Sequence, residues 1–226
     1  MPPISQLLRP GWEAFRTYWP LFIVIQLAAL GVLLSYYLLE GTAHFYAWVG
    51  TVKTEGGWLF AGVATVLSAG IVPELLKSLQ RPAHVPRPSW GEILHQLVLW
   101  FIVGCNVYFF YKLQAFMFGE GTDCLTVIKK VLVDQLLFTP WYNLPIVAAW
   151  YLWREMGYRI GPVMSALGMR FYRERVLPIW ATALMFWPVM LLIVYSLPAD
   201  LQFPLFLCAN AAWSILMIFI LRRQGE

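Results

Sequence analysis

Residues 178–197 read PIWATALMFWPVMLLIVYSL, and these twenty positions contain no charged residue. A run of this length crosses about 30 Å of hydrocarbon as an α-helix, because each residue adds about 1.5 Å. The regular alternation of polar and apolar residues that marks the strands of a membrane β-barrel is missing from it. The segment therefore predicts a membrane-spanning helix.

Five further segments share this apolar composition. The whole chain of 226 residues is 60% hydrophobic and only 12% charged, which leaves too few polar side chains to cover a soluble domain. We predict an all-α, polytopic membrane protein with about six transmembrane helices and short interfacial helices, forming a single membrane domain over residues 1–226. The predicted spans are about residues 20–39, 58–76, 93–118, 131–153, 178–197 and 203–221.

The basic residues fall on alternate connections between these spans. The two ends of the chain and the second and fourth connections hold 12 Lys and Arg residues, whereas the opposite side holds only Lys53, Lys129 and Lys130. Because cytoplasmic loops carry an excess of Lys and Arg, both termini are expected on the cytoplasmic-equivalent side. We expect a multi-pass integral membrane protein, and the pattern fits an organellar membrane and a bacterial inner membrane equally well.

The first 19 residues predict an interfacial helix, because apolar side chains from Ile4 to Trp19 recur at helical intervals with Arg9, Glu13 and Arg16 between them. The fourth connection, with Arg170 and its neighbours, has the same character. Anchoring at the membrane surface is the favoured interpretation of both segments, since Trp and Tyr prefer the headgroup level. A regulatory role is the alternative.

Small residues recur every four positions in the second predicted span, at Ala61, Thr65 and Ala69, with Gly62 and Gly70 beside them. Such a face lets another helix approach closely. We expect helix packing there rather than contact with a substrate.

Ionisable residues inside spans are costly and usually face the interior of the bundle. Lys112 and Asp134 fall near the same end of the third and fourth predicted helices, so we hypothesise an ion pair between them. Lys130, four residues before Asp134, is a competing partner on the same helix face. Asn106, near the middle of the third span, either bonds a neighbouring helix or contacts a substrate.

Four polar residues share one side of the fourth predicted helix: Gln135, Thr139, Tyr142 and Asn143. A polar stripe in a membrane-spanning helix is expected to face protein or water. Pro140 interrupts the stripe and removes one backbone hydrogen bond, which frees a carbonyl near Leu136 for another donor or a passing solute.

Residues 128–140, IKKVLVDQLLFTP, resemble the signature of the Mpv-seventeen family, which includes the twenty-two-kilodalton peroxisomal membrane protein. The two lysines, the Asp-Gln pair and the proline stand at the family's offsets. The chain departs from the family pattern at Ala115 and Gln202, where an acidic residue and an arginine are usual, and at Ser214, where an asparagine is usual. Further matches are Tyr111, Trp187, Pro188 and Trp213.

The resemblance implies a small helical protein of a mitochondrial inner, peroxisomal or related membrane, proposed to form a weakly selective channel for small solutes and linked to metabolite and redox balance. The candidates for pore-lining or family-motif residues are Lys129, Lys130, Asp134, Gln135, Thr139, Pro140 and Asn143. Interhelical polar candidates are Lys112, Asn106 and Tyr111, and structural-motif candidates are Trp187, Pro188 and Trp213.

Motifs for other functions are missing from the sequence. The three histidines lie on separate segments, and neither a phosphate-binding glycine loop nor a nucleophile elbow is present, so we expect no enzyme activity, cofactor or metal. The basic residues are not clustered with stacking aromatics, which argues against nucleic acid as a partner. Membrane lipid and a second copy of the chain, as a homo-oligomer, are the expected partners. The alternative to a channel is a non-conducting scaffold or partner-binding protein, in which the same polar residues only hold helices together.

Overall fold

The structure is a computed structural model that describes residues 4–79 and 87–223. Within these ranges, side chains are described except at 4–11, 13–15, 17–18, 21, 76–77 and 215–223. The proline-rich second connection, predicted to be a stiff link, lies mostly outside the described residues.

Every regular element among the described residues is helical. The helices follow each other as α1 (Ile4–Leu38), α2 (Ala43–Thr65), α3 (Val72–Leu79), α4 (Trp90–Phe118), α5 (Cys124–Val133), α6 (Leu144–Glu155), α7 (Ile160–Ala166), α8 (Met169–Phe171), α9 (Leu177–Ala183), α10 (Trp187–Tyr195) and α11 (Ala199–Arg223). A short 3-10 turn (Glu40–Thr42) precedes α2, and π-helical segments at Val66–Ile71, Asp134–Asn143 and Tyr172–Val176 join α2 to α3, α5 to α6 and α8 to α9. The predicted all-α class is confirmed.

Two helical segments among the described residues are long and apolar enough to cross a membrane, Glu40–Leu75 and Trp90–Phe118. They contain most of the second predicted span and all of the third. A third candidate is the pair Met169–Ala183 and Trp187–Tyr195, which meets the requirement only when both parts are counted together and is bent by 57° between them. These two to three helices indicate association with a membrane, and the count of six spans stays a prediction.

The first 79 residues differ in detail from the predicted pattern. Helix α1 is continuous from Ile4 to Leu38, so the predicted surface helix and the first predicted span form one helix. Residues 43–56 were expected in a connection, yet they are helical, and the sharp break falls at Gly57, whose φ of 52° and ψ of −136° suit only glycine. The predicted start of the second span at Trp58 therefore coincides with a kink inside α2.

Helices α2 and α4 pack closely against each other. Ala61 and Thr65 are fully buried, and a Cβ atom added to Gly104 of α4 would lie 2.5 Å from the Ala61 carbonyl oxygen. From the other side, Gly62 accommodates the ring of Phe101, whose nearest atom would lie 2.5 Å from an added Cβ. The predicted packing face on the second span is confirmed, and its neighbour is α4.

The most deeply buried apolar residues gather around α10. Phe186, Met190 and Val194 are fully buried and pack against Phe22 of α1 and Leu201 near the start of α11. The chain bends by 57° between α9 and α10, where three residues separate the two helices and Pro188 stands in the first turn of α10.

We predict that Gly104→Ala destabilises the protein by about 1–3 kcal/mol, because the new methyl group meets a backbone carbonyl that cannot rotate aside. Gly31→Ala is the matched control, since nothing lies within 4 Å of a Cβ added there and the residue is on an exposed helical face. Thermal unfolding in detergent micelles should show a lower midpoint for Gly104→Ala alone. Equal midpoints for the two variants would contradict the close contact of α2 with α4.

Candidate functional site

A carboxylate lies buried where α5 passes into the π-helical segment. Asp134 is 6% exposed, and both of its oxygens accept hydrogen bonds. Oδ1 accepts from Gln135 Nε2 and from Thr139 Oγ1, each at 3.0 Å, and Oδ2 accepts from the Tyr195 hydroxyl at 2.7 Å. Since Tyr195 is the last residue of α10, this carboxylate ties two distant parts of the chain together.

Gln135 is only partly satisfied by these contacts. Its Nε2 donates to Asp134 and lies 3.4 Å from Thr139 Oγ1, whereas its Oε1 is buried without a hydrogen-bond partner among the described residues. The nitrogen and oxygen of this amide cannot be exchanged, because the amide oxygen would then face the Asp134 carboxylate and two acceptors would lie against each other. The free group is therefore an acceptor.

Pro140 changes the backbone of the π-helical segment in a specific way. In a π-helix each N–H bonds to the carbonyl five residues earlier, so the N–H that Pro140 lacks is the one for the Gln135 carbonyl. Trp180 of α9 supplies a replacement, since its Nε1–H donates to the Gln135 carbonyl oxygen at 2.8 Å. A freed carbonyl was predicted near Leu136; it belongs to Gln135, one residue earlier, because the segment is π-helical rather than α-helical.

Helix α4 brings two more polar groups to the same region. Gln114 is almost fully buried and donates from Nε2 to the Lys130 carbonyl oxygen at 2.9 Å, which again leaves its Oε1 without a described partner. The Tyr111 ring lies 5.2 Å from that of Tyr195, centroid to centroid, and its buried hydroxyl lies near the Tyr195 hydroxyl without a hydrogen bond of good geometry to a described residue. We call Tyr111, Gln114, Gln135 and Asn143 the polar seam; each carries a buried polar atom without a partner in the described part of the chain, as do His95, Trp100, Trp153 and Asn210 outside the seam.

The predicted ion pair between Lys112 and Asp134 is wrong. Of the ion pairs formed by described residues, none joins Asp134 to Lys112 or to Lys130. Lys112 lies on the exposed side of α4, with its Nζ 5.7 Å from the centre of the Tyr108 ring. The buried side of α4 carries Gln114 instead, and Asp134 faces α10, so the two charges point in different directions.

The other predicted site residues are placed as follows. Lys129 is exposed, whereas Lys130 is 1% exposed; Thr139 and Pro140 are buried in the π-helical segment. Asn143 is half-buried, and its Oδ1 has no partner among the described residues. Asn106 accepts from the Tyr142 hydroxyl at 3.5 Å, a long bond that links α4 to the π-helical segment.

The predicted structural-motif residues lie in one aromatic cluster. Trp187 and Trp213 have ring centroids 6.1 Å apart, and the centroid of the Phe186 ring lies 5.1 Å from that of Trp213. Pro188 follows Trp187 at the start of α10. These residues join α10 to α11 and lie outside the polar seam.

Three residues that contact this region were not predicted: Gln114, Trp180 and Tyr195. Gln114 carried a usable signal, since it is a polar residue within a predicted span. Trp180 and Tyr195 carried none, because aromatic residues are common at membrane interfaces and both lie far along the chain from the fourth segment.

Among the described residues, no group of three or more His, Cys, Asp and Glu side chains converges in a way that could hold a metal ion. Comparisons of the chain with protein-family models, with curated proteins and with solved structures give no match.

We predict that Trp180→Phe destabilises the protein by about 1–3 kcal/mol, since it leaves the Gln135 carbonyl without a donor. In a Pro140→Ala background the same change should cost clearly less, because an alanine at that position restores the missing N–H. A double-mutant cycle of thermal midpoints in micelles measures this coupling, and the packing lost with the indole cancels between the two backgrounds. Purely additive effects would show that Trp180 does not replace the proline's lost bond.

Proposed function

We propose that this chain is a multi-pass membrane protein that lets small polar solutes pass along the polar seam between α4 and the helical run of residues 124–155. The observation that carries the proposal is the set of buried polar atoms without hydrogen-bond partners, found on α4 at Tyr111 and Gln114 and in the helical run at Gln135 and Asn143. Buried polar groups are normally paired with protein or water, so such a set favours a hydrated path over a dry core.

The spacing of these atoms supports a path rather than a single pocket. Gln135 and Asn143 are eight residues apart within the π-helical segment. On the facing helix, Tyr111 and Gln114 are one turn apart. The two unpartnered amide oxygens of the helical run that contains Asp134 are therefore about two turns apart.

The second candidate function is a non-conducting membrane scaffold or partner-binding protein. The three hydrogen bonds of the Asp134 carboxylate favour it, because they use both oxygens and join the helical run to α10. Under this alternative, Asp134, Gln135 and Thr139 only hold helices together, and the unpaired amide oxygens bind fixed waters.

Six crossings and membership of the Mpv-seventeen family are part of the proposal. Residues 124–155 form an unbroken helical run of about 45 Å, long enough to cross a bilayer, although Lys129, Lys130 and Asp134 reduce its apolar character. Both termini and α7 then lie on the basic, cytoplasmic-equivalent side, and the family resemblance at residues 128–140 supports the solute path. Enzyme activity is not part of the proposal. A homo-oligomer is compatible with the proposed passage of solutes.

The crossing of residues 124–155 is tested by the accessibility of its two ends. We predict that a membrane-impermeant maleimide added to sealed vesicles labels one of two proteins and never both. The first keeps the native Cys124 in a background of Cys105→Ala and Cys208→Ala, and the second carries Ser165→Cys with all three native cysteines replaced by alanine. Cys124 is exposed at the start of α5, and Ser165 is exposed on α7. Labelling of both positions from one side would overturn the crossing.

Passage of solutes is tested with pure protein in liposomes. We predict that the wild type releases trapped small metabolites faster than empty liposomes, and that Gln135→Leu lowers the rate several-fold, because it replaces a seam acceptor with an apolar group. Gln26→Leu is the matched control: its amide donates to the Phe186 carbonyl at 3.3 Å, on α1 and away from the seam.

The outcomes separate the two candidate functions. Release by the wild type no faster than by empty liposomes would reject solute passage and leave the scaffold role. Release that falls equally in Gln135→Leu and Gln26→Leu would place the path elsewhere in the bundle. Correct folding of each variant is checked by its elution volume and its thermal midpoint in micelles.

A further inference from the structure

The connection between α6 and α8, residues 156–168, carries an apolar surface that no described residue covers. Ile160 is 69% exposed and Met164 is 64% exposed, and they lie one turn apart on α7. Val163 and Phe171 are buried against Ala148 and Leu152 of α6, so α7 is fixed to the bundle while Ile160 and Met164 stay uncovered.

The charges around α7 are strongly unbalanced. Residues 154–175 contain five arginines and two glutamates. Both glutamates are used internally: Arg175 binds Glu155 at two points, 2.9 Å and 2.7 Å, and Arg170 binds Glu174 at 2.9 Å. A two-point bond of this kind is among the stronger polar contacts in proteins, so the Glu155 carboxylate is committed to Arg175.

Arg159 stands apart from these pairs. It directly precedes Ile160, it is exposed, and it makes no ion pair or hydrogen bond with a described residue. Arg154, on the last turn of α6, lies 5.7 Å from the centre of the Tyr151 ring and interacts electrostatically with Glu92 and Glu155. The unpaired positive charge of Arg159 therefore borders the exposed apolar residues of α7.

We propose that Arg159, Ile160 and Met164 form a binding surface for an anionic phospholipid. The Arg159 guanidinium binds the phosphate of the headgroup, and the two apolar side chains lie against the upper part of an acyl chain. The lipid is favoured over a soluble phosphate compound because the charged and apolar groups are adjacent and belong to a connection between membrane-associated helices. This surface does not depend on the passage of solutes.

The experiment compares bound lipid after purification in a mild detergent. Protein is incubated with phosphatidylglycerol or phosphatidylcholine, and retained lipid is counted by native mass spectrometry. The wild type should retain phosphatidylglycerol preferentially, and Arg159→Gln should weaken that retention about fivefold, the effect of one basic residue at an anionic surface. Arg170→Gln is the matched control, because its side chain is 80% exposed and already paired with Glu174.

Ile160→Ser with Met164→Ser forms a second arm, and it should reduce retention of both lipids. Equal retention of the two lipids by the wild type would overturn the proposal, as would equal losses in Arg159→Gln and Arg170→Gln. Competition by glycerol phosphate at the same concentration as the lipid would show that a soluble phosphate is the ligand instead. Unchanged thermal midpoints in lipid-free micelles verify that the exposed substitutions leave the fold intact.

Discussion

The arrangement of this bundle depends on one buried carboxylate and the donors that saturate it. A charged or polar group away from water must be hydrogen-bonded, and Asp134 meets this requirement with a neighbour on its own turn, a hydroxyl one turn later and a tyrosine from α10. The first two fix the side chain within the π-helical segment. The third comes from the end of α10, beyond the 57° bend that follows α9, and joins this distant part of the chain to the π-helical segment.

Much of this region could be predicted from the sequence, and the failures have physical reasons. The polar stripe and the proline were visible because their spacing is that of a helix face. The partners of Asp134 and of the freed carbonyl were not, because Tyr195 and Trp180 lie far along the chain. The pair with Lys112 was wrong since equal depth in a membrane does not decide on which side of a helix a residue lies. Lys112 and the buried Gln114 are two residues apart, and that spacing places them on opposite sides of α4.

The same limit explains the differences in the fold. Helix-packing residues were predictable on the second span because small residues at four-residue intervals have few other uses in a membrane. The helix over residues 43–56 was missed because its apolar residues do not form a long continuous run. Its inner side instead meets Asp200, whose Oδ1 accepts from Thr54 at 3.1 Å and pairs with Lys53 at 3.3 Å. Polar contacts of this kind leave no periodic pattern in the sequence.

The contact between Gly104 and the Ala61 carbonyl has a mechanical consequence. Gly104 lies directly against the Ala61 carbonyl and the Thr65 side chain, and Gly62 against the Phe101 ring, so α2 and α4 have little free space in which to move relative to each other. We therefore expect any widening of the bundle on the opposite flank of α4. There the interface consists of side chains, among them the parallel rings of Phe110 and Phe138 with centroids 3.8 Å apart, which can slide over one another without breaking the main chain's own bonds.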